Sequence, residues 1–183
     1  MSLDIGVDEI IEKLSKREKS LDIVLGENRQ VVRSCSNAIK AMHGHDMETA
    51  KKHLDEAETQ LKKISPYADE FPSQLNHVYQ EYAEARIILS AIEEKKIPSY
   101  KELNLPGIPF LLGLLDAIGE LKREVYVSLS TGNKDEAKIY FKMMEDIYDE
   151  LLPMRFSNSI LPEFRRKQDV VRLQIEQARG QLL

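Results

Sequence analysis

The chain has 183 residues, a formal net charge of −5 and one cysteine, Cys35. This length can bury one substantial core, so we expect a single domain over residues 1–183, and a lone cysteine excludes an intrachain disulfide. The acidic balance excludes a uniformly basic nucleic-acid binder, although it permits a local basic face.

The same composition bears on the compartment. One cysteine in a chain of this size fits a reducing, cytoplasmic setting. The first residues lack a basic start followed by an apolar run, and no stretch is apolar enough to cross a bilayer. We therefore expect neither a signal peptide nor a membrane partner.

Apolar residues in the first part of the chain recur every seven positions. Val7, Leu14, Leu21, Cys35 and Met42 fall on one row. This repeat predicts one long helix over residues 7–42 with a coiled-coil-like seam, on which the cysteine should be buried and inert. A glycine inside the helix, at position 26, predicts a bend or a close contact.

Capping residues and prolines divide the rest of the chain into shorter helices. Gly44 should end the first helix, and Asp46 should cap the second. Asn133 with Glu136 resembles a capping box, and prolines between residues 96 and 109 prevent continuous helix there. The predicted spans are 46–64, 72–95, 110–130, 134–152 and a last helix that contains Phe164 to Leu182. No strand pattern competes, so the predicted fold class is all-α, a six- to seven-helix bundle.

Two of these helices each place two carboxylates on one face. Glu81 and Glu84 are three residues apart, and Asp116 and Glu120 are four apart, so the members of each pair point the same way. If the third and fourth helices pack face to face, four carboxylates converge. Oxygen ligands of this kind suit a hard divalent cation such as Mg²⁺ or Mn²⁺. Spacing alone leaves open that all four are ordinary surface acids.

The histidines offer no obvious metal set. Solvent exposure or capping near the end of the first helix explains His43, His45 and His53. His77 lies one turn before Glu81, which raises the alternative of a ferritin-like di-metal site. Di-iron bundles, however, carry Glu-x-x-His on two helices, and neither Glu81 nor Glu120 has a histidine three residues on. We expect His77 at the core boundary or hydrogen-bonded to a carboxylate.

Several segments, in their order and spacing, resemble one known family. The longest is Leu105–Arg123, LPGIPFLLGLLDAIGELKR; the others are Gln80–Ala85, Asn28–His43 and Phe164–Asp169. Together they resemble the translin family, and more closely its translin-associated factor X (TRAX) branch in an archaeal-type form. The chain departs from the eukaryotic TRAX pattern by a short linker between the third and fourth helices.

The resemblance implies a function as well as a fold. Family members are helical bundles that assemble into hollow barrels, commonly octamers, and bind single-stranded nucleic acid. In TRAX-like subunits, acids matching Glu81, Glu84, Asp116 and Glu120 serve a Mg²⁺-dependent endoribonuclease, whereas translin-like subunits lack the full set. The resemblance therefore implies a homo-oligomer that cleaves single-stranded RNA; the alternative is a non-catalytic oligomer that binds single-stranded RNA or DNA.

Cations that could contact the nucleic-acid backbone lie on three predicted helices. Arg29, Arg33 and Lys40 are close in helical phase on the first helix, where a solvated face is the plainer interpretation. Contacts of this kind would be salt-dependent and insensitive to base identity. The full set of candidates is Arg29, Arg33, Lys40, Arg123, Arg165 and Arg166.

Overall fold

A computed structural model describes residues 5–182, and the regular structure of these residues is helical throughout. A short 3-10 turn at Ser65–Tyr67 follows the second helix. The α-helices are α1 (Val7–His43), α2 (Met47–Ile64), α3 (Pro72–Glu94), α4 (Gly107–Ser130), α5 (Lys134–Leu151) and α6 (Phe164–Leu182). The predicted all-α bundle is confirmed. No helix within the described residues is both long and apolar enough to span a bilayer.

Local capping explains where most helices begin and end. Gly44 caps the end of α1, and the Asp46 carboxylate accepts a hydrogen bond from the Thr49 amide at 3.0 Å at the start of α2. At the start of α5 the Asn133 side chain accepts from the Glu136 amide at 3.3 Å, while its own amide donates to the Glu136 carboxylate at 2.9 Å. Each of these ends was predictable because both partners lie within four residues.

The start of α4 differs from the prediction. The helix begins at Gly107, three residues before the expected Phe110, and it therefore contains Pro109 in its first turn. A proline is tolerated there because the first N–H groups of a helix have no intrahelical acceptor. The irregular linker between α3 and α4 is correspondingly shorter, and covers residues 95–106.

The core is built around α4, which packs against α3, α5 and α6, while α1 packs against α2 and α3. The predicted seam of α1 is buried only from Val24 onward, where Val31 and Cys35 are also buried. In the first half, Ile10 and Leu14 are more than half exposed. At Gly26 the sequence predicts a bend or a close contact. The structure shows no close contact there, because a Cβ added to this glycine would meet no atom within 4 Å.

A different glycine sets the distance between α3 and α4. A Cβ added to Gly113 would lie 2.7 Å from the Ala83 Cβ and 2.8 Å from the Gln80 carbonyl oxygen, closer than real Cβ atoms approach. Only glycine permits this helix crossing. The crossing brings the carboxylate pair of α3 close to that of α4.

Candidate functional site

A cleft of about 510 Å³ opens between α3, α4 and α6 and holds three of the four predicted acids. We call it the acidic cleft. Its lining residues are His77, Gln80, Glu81, Glu84, Leu115, Asp116, Arg166, Lys167, Val170, Val171 and Gln174. Glu81, Glu84 and Asp116 are all half-buried, so they are not ordinary surface acids. Glu120 lies outside this lining.

Asp116 is held by partners from the two neighbouring helices. The Gln80 side-chain amide donates to one carboxylate oxygen of Asp116 at 2.6 Å, and the Lys167 ammonium forms an ion pair with the other. Both members of that ion pair are at least three-quarters buried. Lys167 was not among the predicted site residues, although it follows two arginines that were. A cation therefore already lies beside the acids.

Glu84 experiences the strongest electrostatic effect in the cleft. Its pKa is raised to about 8, first by burial and then by the nearby negative charges of Asp116, Glu81 and Glu120, against the opposing effect of Lys167. The four predicted acids are therefore close enough to interact, even though their side chains do not share one cleft. Such crowding is relieved by protonation or by a bound cation.

Glu120 is engaged by a histidine at the end of α1. The His43 imidazole lies between two carboxylates, with Nε2 2.7 Å from Glu120 and Nδ1 3.0 Å from Glu124. We call this arrangement the His43 bridge. The side chain of His43 is only 9% exposed, so the prediction of a solvent-exposed or capping histidine was wrong. A neutral imidazole has one N–H donor, so both contacts together require a doubly protonated ring or a proton on one carboxyl.

His77 lies at the rim of the acidic cleft. Its ring is 62% exposed, and its Nδ1 is 3.8 Å from the Glu81 carboxylate, which is too long for a hydrogen bond but within range of a charge interaction. With an exposed ring and no hydrogen bond to Glu81, His77 does not lie at the core boundary, so the prediction of a core-boundary or hydrogen-bonded histidine was wrong. A ferritin-like site also gains no support from this position.

The ligand types in the acidic cleft fit a hard divalent cation, but the side-chain positions do not yet enclose one. Carboxylate oxygens are the ligands that Mg²⁺ prefers, and the neighbouring acids that, after burial, raise the pKa of Glu84 show that negative charge is concentrated here. Among residues 5–182, however, no three His, Cys, Asp or Glu side chains are arranged to hold a metal ion. In the structure it is Lys167 that neutralises Asp116.

The six predicted cations do not form one surface. Arg166 lines the acidic cleft, where it pairs with Glu163 at 2.6 Å, and it also lines a neighbouring cleft of about 550 Å³ together with Arg165 and Arg155. We call this second cavity the basic cleft. The remaining four, which are exposed, line neither cleft and form no ion pair with another described residue. They are Arg29, Arg33, Lys40 and Arg123.

Comparison with known proteins places this geometry in a family. The sequence model of the Translin family matches residues 6–178. An uncharacterized protein of Methanocaldococcus jannaschii, MJ0175, is 32% identical over 188 residues, which span 99% of this chain and 84% of that protein.

Solved structures with the same fold carry the name C3PO. The AfC3PO–duplex RNA complex is 26% identical with a TM-score of 0.88, over 97% of this chain and 95% of that one. Apo-NeC3PO is 26% identical with a TM-score of 0.89, over 100% of this chain and 98% of that one. The family match over nearly the whole chain, supported by these similarities, shows that the protein belongs to the Translin family.

Proposed function

We propose that the protein is a TRAX-like, Mg²⁺-dependent endoribonuclease that cleaves single-stranded RNA within a hollow homo-oligomer. The observation that carries this proposal is the acidic cleft, where Glu81, Glu84 and Asp116 meet and the pKa of Glu84 is raised to about 8. Groups with pKa values shifted in this way concentrate at functional sites. AfC3PO, a structural relative, has been solved with duplex RNA, which supports RNA as the ligand and adds duplex RNA as a form to test.

The four acids would have two different roles in this proposal. Glu81, Glu84 and Asp116 would hold Mg²⁺ (or Mn²⁺), and Glu120, fixed by His43, would add negative charge beside them. Lewis-acid activation of water and neutralisation of phosphate charge are the chemistry that such an ion supplies when bound. The Lys167 ammonium lies next to Asp116, where it would bind the phosphate whose ester bond breaks.

The basic cleft supplies a path for the RNA backbone toward the acids. Arg166 belongs to both clefts, and Arg155 and Arg165 continue the positive charge away from the acidic cleft. Arg29, Arg33, Lys40 and Arg123 would extend the contact surface from other faces, and a groove of this charge would also admit single-stranded DNA. Because phosphate contacts release counterions, binding should weaken steeply with salt and depend little on sequence.

The exposed first part of α1 offers a surface for contacts between copies of the chain. Val7, Ile10, Ile11 and Leu14 are between 44% and 59% exposed, and together they form an apolar patch of the kind that marks protein interfaces. We assign this patch to contacts between copies, with an octamer as the assembly implied by the resemblance. The buried thiol of Cys35 suits the reducing cytoplasm in which we place the protein.

A cleavage assay tests the proposal. Wild-type protein is incubated with one RNA sequence in single-stranded and duplex form, with Mg²⁺ and with EDTA. Cleavage of the single strand should require Mg²⁺, and Glu81→Gln and Asp116→Asn should each lower its rate by on the order of 100-fold or more, as expected for loss of a metal ligand. Asp146→Asn, which removes an exposed acid paired with Lys142 on α5, serves as the matched control and should retain full activity. Undiminished cleavage by both cleft variants would rule out this site.

A second function is favoured by one observation. Lys167 already neutralises Asp116, and no closed set of metal ligands exists among the described residues. A non-catalytic oligomer that binds single-stranded RNA or DNA accounts for this arrangement equally well. It requires that binding persist in EDTA, that Asp116→Asn bind as wild type does, and that no cleavage occur with Mg²⁺ or Mn²⁺.

A further inference from the structure

The face of α3 opposite the acidic cleft lines another cavity, which is larger than that cleft. About 730 Å³ in volume, it lies between α2, α3 and the linker that precedes α4. We call it the aromatic pocket. Its α3 wall includes Tyr79, Tyr82 and Arg86, whereas the acidic cleft uses Glu81 and Glu84. Successive helical residues turn by about 100°, so the two sets point to nearly opposite sides of the helix.

An unpartnered hydroxyl lines this pocket. Tyr79 is 7% exposed, yet its hydroxyl makes no hydrogen bond with any other residue among those that the structure describes. The neighbouring Tyr82, which is similarly buried, has its hydroxyl engaged at 3.4 Å by Glu58. This hydroxyl is not among the fully buried polar atoms that lack a partner, so it keeps contact with solvent and is a donor and acceptor available to a ligand.

The linker contributes an accessible aromatic ring. Tyr100 is 43% exposed, and its ring centroid lies 6.2 Å from that of Phe110, a buried residue of α4 that restrains it. An accessible tyrosine ring of this kind is a stacking surface for a nucleobase. The Lys101 ammonium lies 5.9 Å from the same ring, and the Arg86 guanidinium lies 5.9 Å from that of Tyr82.

The free charges of the pocket are positive. Neither Arg86 nor Lys101 forms an ion pair within residues 5–182, whereas both carboxylates of the pocket are engaged. Glu58 pairs with Lys62 at 2.6 Å, and Glu102 accepts from a backbone amide of the linker at 2.7 Å. In addition, α4 begins beside the pocket without a side-chain cap, so the positive end of its dipole remains unsatisfied.

We propose that the aromatic pocket binds a nucleoside monophosphate. The base would stack on Tyr100 and hydrogen-bond with the Tyr79 hydroxyl, and the phosphate would be held by Arg86 and Lys101. The volume is within the range of small-molecule sites, and the lining mixes aromatic and aliphatic residues with charged and polar ones, which suits a ligand that has both a base and a charged phosphate. The source of the ligand is either a free nucleotide or a terminal nucleotide of an RNA strand. This assignment does not depend on RNA cleavage at the acidic cleft.

Calorimetric titration of the full chain in EDTA tests this assignment. AMP should bind more tightly than adenosine or inorganic phosphate, because each fragment uses only part of the pocket. Tyr100→Ala should weaken AMP binding about tenfold through lost stacking. Tyr79→Phe, which removes only the hydroxyl, should weaken it roughly threefold. Tyr126→Ala is the matched control, because Tyr126 is also exposed and has a lysine 5.5 Å from its ring but lies outside the pocket.

A competition experiment identifies the source of the nucleotide. A single-stranded 2′-O-methyl oligonucleotide that displaces AMP assigns the pocket to an RNA end, and one that leaves AMP bound assigns it to free nucleotide; both results support the pocket. Absence of AMP binding at millimolar concentration overturns the proposal, as does binding that is unchanged in both Tyr79→Phe and Tyr100→Ala. Asp116→Asn should retain AMP binding, so failure of the nuclease proposal and failure of this one are distinguishable.

Discussion

Asp116 and Glu120 stand one turn apart on α4, yet they belong to two different environments. Asp116 lines an open cleft, paired with Lys167 and hydrogen-bonded by Gln80. Glu120 is held by the His43 bridge, whose other carboxylate, Glu124, is 6% exposed. The comparison shows that neighbouring acids on one helix face need not share a role. The acidic cleft keeps carboxylates accessible, whereas the His43 bridge fixes two of them in place.

Removal of the histidine from the bridge should give the largest effect on stability. His43→Ala leaves two mutually repelling carboxylates without a partner, so we expect a loss of about 2–4 kcal/mol in the free energy of unfolding by urea. The control is His53→Ala, which removes a histidine from an exposed contact with Glu56 and should change stability by less than about 0.5 kcal/mol. Adding Glu124→Gln to His43→Ala should recover part of the loss, and an unchanged stability in the single variant would contradict the bridge.

The acidic cleft can be disturbed separately, through the helix crossing that forms it. Gly113→Ala places a methyl group 2.7 Å from the Ala83 Cβ, so α3 and α4 must separate, and we expect a loss of about 1–3 kcal/mol in the free energy of unfolding. The matched control is Gly26→Ala, at a helical glycine with open space around it, which should stabilise by about 0.5–1 kcal/mol. Equal effects from the two substitutions would show that the close approach is unimportant.

The pKa of Glu84 predicts a pH dependence of stability that arises in the acidic cleft. In the folded protein this pKa is raised to about 8 by burial and by neighbouring acids, so the folded state binds a proton that the unfolded state releases above its ordinary pKa of 4.5. Stability therefore decreases as the pH rises from about 4.5 to 8. In the absence of divalent cations, Glu84→Gln should raise the free energy of unfolding at pH 8 by about 1–2 kcal/mol and have little effect at pH 4.5.

The control for that measurement is Asp146→Asn, an exposed acid on α5. It should not alter the difference in stability between pH 4.5 and pH 8. A Glu84→Gln variant that is less stable than the wild type at pH 8 would contradict the idea that the acids of the cleft repel one another.

Most of the fold was predictable because its signals are local. The caps at Asp46 and Asn133 involve partners three residues away, and the heptad repeat of α1 located the row that is buried in the later part of that helix. The sequence alone predicts too late a start for α4, because Pro109 is compatible both with the linker and with the first turn of a helix. The exposure of the first part of the α1 seam was not predictable either. A heptad repeat shows which residues share a row, but it does not show which partner covers them.

The candidate site was only partly predictable because its decisive contacts are remote in sequence. Helical spacing identified the acids, since each pair lies within one turn. His43 contacts carboxylates 77 and 81 residues away, and Lys167 reaches Asp116 across 51 residues. Both lie in segments that carry the family resemblance, which was the available signal. Nothing in the spacing of Tyr79 and Tyr100 indicated that they line one pocket.

The smallest expected effect concerns the thiol behind the acidic cleft. Burial raises the pKa of Cys35 to about 12, and the charges of Glu81 and Glu84 act in the same direction. Because the thiolate is the reactive form, native protein at pH 8 should not react with a thiol reagent, whereas urea-unfolded protein should react with one equivalent. Glu84→Gln should leave this protection unchanged, since burial is the larger cause. Gly113→Ala should accelerate the reaction if separating α3 from α4 admits solvent, and rapid labelling of the native wild type would show that the cleft already opens as far as α1.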